Sequence, residues 1–129
     1  MAQMALPHPL PAEYARTVAD RFRLLGDPSR LMLMDLLRDG ERTVGSLAAE
    51  LGCTQANASK HLGLLADGGL LSRRREGLRC YYAIADDAVF TLCDQVTASV
   101  LSHLDQRAEL LRGSTSELPA PPRPTRSAR

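Results

Sequence analysis

The feature that most constrains this chain is a pair of short apolar-periodic segments, each opened by a threonine and separated by Gly52-Cys53. Thr43 precedes Val44, Leu47, Ala48 and Leu51, and Thr54 precedes Ala58, Leu62 and Leu65. Apolar residues at these intervals mark helices with one buried stripe. A threonine just before such a stripe caps it, because its hydroxyl accepts a backbone N–H that the first helical turn leaves free. Gly52 supplies the backbone freedom that a tight exit from the first helix needs. Gly68-Gly69 ends the second at about Asp67. Two helices joined this closely must pack on each other, with small Ala48 where they cross. Gln55, Ala56, Ser59 and Lys60 are left on the face opposite Leu62 and Leu65.

The flanking sequence supplies the remaining elements. Tyr14, Ala15, Val18, Phe22 and Leu25 recur at helical spacing and stop at Gly26. Asp27-Pro28 reads as a cap followed by proline at the first helical position, opening a helix with Leu31, Leu33, Met34 and Leu37 as its buried stripe and Gly40 as its end. Residues 70–75 and 79–84 are short runs around a turn at Glu76-Gly77, the pattern of a β-hairpin. Asp86 or Asp87 then caps a long last helix to about Arg112. The predicted class is mainly α, about five helices plus a two-stranded hairpin. Its domain spans residues 12–112 between an extended arm, residues 1–11, and a Pro- and Arg-rich disordered tail, residues 113–129. A chain of 129 residues, 44% apolar, suits one such core. With no tryptophan and only five other aromatic residues, aliphatic side chains must fill it.

The last helix carries more apolar residues than one core face requires. Val96, Val100, Leu101, Leu104 and Leu111 therefore point to a second copy of the chain. No stretch reaches the ~20 apolar residues needed to span a bilayer, and residues 1–11, with three prolines, do not read as a signal peptide. Cys53, Cys80 and Cys93 are odd in number and widely spaced, which argues against a disulfide framework and for a reducing cytoplasm.

Residues 43–65 thus have the grammar of a helix-turn-helix, and the hairpin after them that of a wing. A major groove ~12 Å wide admits a helix, and short polar side chains read base edges there. Gln55 suits adenine, Ser59 suits donors or acceptors, and Ala56 suits a thymine methyl. Asn57, Lys60 and His61 suit phosphates. The net charge is only +1, but residues 55–82 hold Lys60, Arg73, Arg74, Arg75 and Arg79 against Asp67 and Glu76. This basic patch suits the DNA backbone or an adjoining minor groove, where edge protection alone would need fewer charges. A protein-binding module with merely solvated arginines is the alternative. Catalysis is excluded more firmly: there is no phosphate loop or paired-carboxylate motif, and Cys53 and His61 lie some 12 Å apart along a helix axis.

Three strings in combination, LLGDPSRLMLMDLL (residues 24–37), TVGSLAAELGCTQANASKHLGLLADGGLL (residues 43–71) and RRREGLRCYYAIADDAV (residues 73–89), resemble the ArsR/SmtB-type bacterial repressors. The resemblance implies a homodimer built from the first and last helices, with Val18 and Phe22 joining the last-helix residues at the seam. It further implies binding to an inverted-repeat operator in double-stranded DNA and release by an effector such as a metal ion, metalloid or redox species. The family's ligand positions are mostly unfilled. The helix before the recognition helix has no cysteine. Asp86 matches a ligand position, but Ala88 stands where a histidine would be, and only His103 among Ser99, Ser102 and His103 is a good ligand. No cofactor is therefore assigned. Cys80 and Cys93 read as small buried hydrophobes, and Cys53, beside a helix N-terminus, as the redox or soft-metal candidate of most interest.

Overall fold

The computed structural model describes residues 5–114, so residues 1–4 of the expected arm and 115–129 of the expected tail lie outside the described residues. The chain divides into two compact units, residues 1–87 and residues 88–129. The first contains α1 (Ala12–Leu25), α2 (Pro28–Leu36) with a 3-10 turn (Leu37–Asp39), β1 (Arg42–Thr43), α3 (Val44–Leu51), α4 (Gln55–Asp67), β2 (Leu71–Glu76) and β3 (Arg79–Ile84). The second contains α5 (Ala88–Ser114).

Each helix start follows from its cap. The Asp27 carboxylate accepts from the Arg30 N–H at 3.1 Å, with Pro28 at the first helical position. That bond holds the Asp27 carboxyl below the ordinary carboxylate range. Thr43 Oγ1 accepts from the Ser46 N–H at 3.1 Å, and Thr54 Oγ1 accepts from the Asn57 N–H at 3.1 Å. Between α3 and α4 the chain turns at Gly52, which is left-handed at φ 74° and ψ 34°. The N–H groups of Gly52 and Cys53 both reach the Ala48 carbonyl, at 2.9 and 3.1 Å. Gly69, at φ 81°, makes the second reversal, after which the Leu70 N–H closes onto the Leu65 carbonyl at 2.9 Å and the chain enters β2.

The core of the first unit is aliphatic around a single tyrosine. Leu33, Met34 and Leu37 meet Leu47, Ala48, Ala58, Leu62, Leu65, Leu70, Leu71 and Tyr82, all buried. Burial of one such leucine stabilises the fold by roughly 1.5–3 kcal/mol. Leu31, expected in the stripe of α2, is exposed instead.

The hairpin forms as expected, with β2 antiparallel to β3 from Leu71 opposite Ile84 to Glu76 opposite Arg79. A third strand, not expected, pairs on the other side of β3: Arg42 lies opposite Tyr82 and Thr43 opposite Tyr81. Residue 43 must be extended to cap α3, and its extended backbone meets the free edge of β3. Two residues are too few to show an alternating pattern.

In α5, Val96, Val100 and Leu104 recur every fourth residue and are about half exposed, as are Leu101 and Leu111. No helix among the described residues is long and apolar enough to cross a membrane.

The left-handed turn gives a direct test of the fold. A Cβ at Gly52 would meet no atom within 4 Å, so substitution there costs conformational strain alone. Gly52→Ala is expected to lower stability by about 1–2 kcal/mol, and Gly52→Asn by less, because asparagine tolerates this conformation. Urea unfolding followed by circular dichroism measures both.

Candidate nucleic-acid interface

α4 separates its residues as the apolar pattern requires. Ala58, Leu62 and Leu65 are fully buried, while Gln55, Ala56, Asn57, Ser59 and Lys60 are exposed. Gln55 and Ser59, the side chains expected to read bases, thus stand outside the core. Gln55 is partly constrained, since its Nε2 lies where a Cβ on Gly45 would approach to 3.3 Å. Its amide therefore lies near the start of α3, and a side chain at residue 45 would make it give way by a few tenths of an ångström.

Gln55, Ala56 and Ser59 form one wall of an open groove of about 670 Å³, and Leu78, Arg79 and Cys80 at the hairpin form another. Thr43, Val44 and Gly45 complete the lining. Opposed residues in an antiparallel pair share a sheet face. Arg75 lies opposite Cys80 and Arg73 opposite Tyr82, whereas Arg74, opposite Tyr81, shares the other face with Glu76 and Arg79. The four wing arginines, equivalent in the sequence, therefore differ.

Arg74 is engaged on three sides. Its Nη2 and Nε donate to the two Glu41 carboxylate oxygens at 2.6 and 3.1 Å, its Nη1 donates to Glu76 at 2.6 Å, and its guanidinium lies 4.5 Å from the Tyr81 ring centroid. The bidentate bond from Arg74 holds the Glu41 carboxyl below its ordinary range, and the two carboxylates push the Arg74 pKa up. Arg73 donates to the Tyr82 hydroxyl at 3.4 Å. Arg75, Arg79 and Lys60 have no carboxylate within salt-bridge distance among the described residues.

His61 is half-buried, unlike its exposed neighbours. Its Nδ1 lies 3.3 Å from Arg30 Nη1, and because a guanidinium can only donate, Nδ1 is the acceptor. Arg30 also donates from Nε to the Leu24 carbonyl at 2.7 Å and from Nη2 to the Arg23 carbonyl at 3.2 Å. It therefore ties the end of α1 and the start of α2 to α4. This role has no local sequence signal: Arg30 lies 31 residues before His61, and only the Asp27-Pro28 cap beside it is readable.

The effector candidates are less assembled. Asp86 accepts from Arg21 Nη1 at 3.2 Å, an ion pair that a cation would have to displace. His103 stands on α5, in the other unit. No group of three or more His, Cys, Asp or Glu side chains among the described residues is placed to hold a metal ion. Cys53, Cys80 and Cys93 are all partly exposed, so Cys80 and Cys93 are less buried than a core role would make them.

An exposed polar helix beside a basic hairpin, both carried on a three-helix core, defines the class: a winged helix-turn-helix. A family profile described as a helix-turn-helix domain matches residues 25–74. The chain is 37% identical over 83 residues to a probable mercury resistance operon repressor of Streptomyces lividans, covering 64% of this chain and 66% of that protein, just under two thirds of its length. It is 38% identical over 92 residues to the biofilm growth-associated repressor of Agrobacterium fabrum, covering 70% and 79%. Among solved structures it is similar to the homodimeric winged helix-turn-helix DNA-binding domain of Mb0332 from Mycobacterium bovis, described as a possible ArsR-family transcriptional regulator. The TM-score is 0.66 at 38% identity, covering 78% of this chain and 94% of that one. The chain belongs to the ArsR/SmtB family of winged helix-turn-helix transcriptional regulators.

The Glu41–Arg74 bond has a measurable signature. In Arg74→Ala the Glu41 carboxyl is expected to titrate at higher pH than in the parent, back towards its ordinary range. Side-chain carboxyl NMR across an acid titration reads this; an unmoved Glu41 midpoint would show that the bond does not persist in solution.

Proposed function

We propose that this protein represses transcription by binding double-stranded DNA as a homodimer, with α4 laid in the major groove. The observation that carries the reading is the exposure of Gln55 and Ser59 on a helix whose opposite face is fully buried. In this reading Gln55, Ser59 and Ala56 meet base edges, and Asn57 and Lys60 meet flanking phosphates. Arg75 and Arg79 supply the wing's phosphate contacts. Arg74 has two carboxylates to leave first, and His61 serves mainly to hold α4 against Arg30.

Self-association is supported by two exposed apolar stripes. Tyr14, Val18 and Phe22 recur every fourth residue on α1 and are about half exposed, like the stripe of α5. The similar Mb0332 domain is a homodimer. A twofold dimer presents two copies of α4, which fit half-sites of an inverted repeat about one helical turn, ~34 Å, apart.

Two measurements test the proposal. Gel-shift or anisotropy titrations against DNA from the chain's own upstream region are expected to show specific binding that weakens steeply with salt. Gln55→Ala should cost roughly 1–3 kcal/mol on the specific site and little on random DNA. Arg75→Ala should reduce the slope of log affinity against log salt by about 0.9, with Arg74→Ala changing it less. Absence of specific binding would leave a protein-binding module instead. In the second measurement, Leu101→Glu combined with Leu104→Glu is expected to sediment as a monomer and to lose tight DNA binding. A dimer that survives both changes would place the seam elsewhere.

A further inference from the structure

Leu78 is the most exposed large apolar side chain among the described residues, at 107% of its reference surface. It stands at the hairpin tip, between Gly77, at φ 61°, and Arg79. A side chain that removes no surface from water contributes nothing to the core, so folding gives no reason for leucine here. Its setting is cationic. Arg79 follows it and Arg75 stands just before the turn, neither with a carboxylate within salt-bridge distance among the described residues. Leu78 also lines the groove whose far wall is Gln55 and Ser59.

In the DNA-binding reading, with α4 in the major groove, the sugar–phosphate backbone runs along this groove between α4 and the hairpin, and the tip meets the next minor groove. The hairpin has the reach for this: five residue steps from buried Leu71 to Glu76 span roughly 17 Å. Apolar side chains flanked by cations are the groups that DNA-binding proteins set into minor grooves. We propose that Leu78 is a specificity-determining residue that enters the minor groove beside the site read by α4 and selects A·T pairs there. The inference rests on the DNA-binding reading above.

The selectivity follows from what each pair presents. A·T and G·C both show acceptors in the minor groove, but only G·C adds the guanine 2-amino group. A leucine pressed over that amino group blocks it sterically and strips its water without returning an acceptor, a desolvation that A·T pairs avoid.

The test uses the full chain and duplexes. Selection from random DNA first defines the core sequence bound by the parent protein. The flanking pairs of that core are then made A·T, G·C or inosine·C, the last having the major-groove edge of G·C without the minor-groove amino group. The parent is expected to bind A·T and inosine·C flanks alike and G·C flanks at least about fivefold more weakly. Leu78→Ser should bind all three alike, with core preference, salt slope and melting temperature unchanged. The proposal is overturned if Leu78→Ser keeps the G·C penalty, if the parent shows none, or if inosine·C behaves as G·C. Should selection return no core at all, the DNA-binding reading fails and takes this proposal with it, which separates that failure from a core bound without flank discrimination.

Discussion

The interface depends on how closely α3 and α4 pack at their turn. Ala48 and Ala58, exposed by 2% and 0%, are small enough for the two helices to approach. Gly52 reverses the chain within a single left-handed residue. Thr54 then fixes the first turn of α4, so the side chains of that turn leave the core at set angles. A larger residue at either alanine would push α4 off the core, and overpacking of this kind costs about 1–3 kcal/mol. Every exposed residue of α4 takes its direction from this contact.

The electrostatics follow a different logic. A chain with net charge +1 presents a cationic face by arranging which charges cancel. Glu41 and Glu76 neutralise Arg74 on the hairpin, and Glu50 with Ser46 engages Arg42 beside α3. Lys60, Arg75 and Arg79 are left without such partners among the described residues. The wing therefore has a structural arginine and a separate set of cations open to solvent. Such surface pairs contribute little to stability; their effect here is on where positive charge faces out.

This division marks the limit of what the sequence discloses. The helices were legible because each carries local signals: Asp27-Pro28, Thr43, Thr54 and the glycines act within a few residues of themselves. The burial of Leu62 and Leu65 opposite Gln55 and Ser59 was legible from periodicity alone. Pairings across long separations were not. Nothing in the run Arg73-Arg74-Arg75 distinguishes its middle member until β-register sets it on the other sheet face from its neighbours and Glu41, 33 residues earlier, meets it. β1 was invisible because its pairing is dictated by the edge of β3, and Leu31 was misplaced because α2 turns only part of its apolar surface inward. For Gln55 only the outward direction is legible; the closeness of its amide to Gly45 is set by tertiary packing.

Arg30 shows why such pairings matter for function. The Leu24 carbonyl is among those that the last turn of α1 leaves without a helical partner, while the Arg23 carbonyl already accepts from the Gly26 N–H at 3.2 Å. The Arg30 guanidinium satisfies the first and adds a second donor to the other, and its remaining reach goes to His61 on α4. One side chain thus closes the end of a helix that carries an exposed apolar stripe and also steadies the helix that carries Gln55 and Ser59. Lysine could not replace it, since a single ammonium lacks the planar fork that spans two carbonyls and an imidazole. Among the described residues, Leu78 at the hairpin tip has no comparable tether. The orientation of α4 is fixed from the core side, whereas the tip is held through the pairing of β2 with β3 and through the bonds from Arg74 to Glu41 and Glu76.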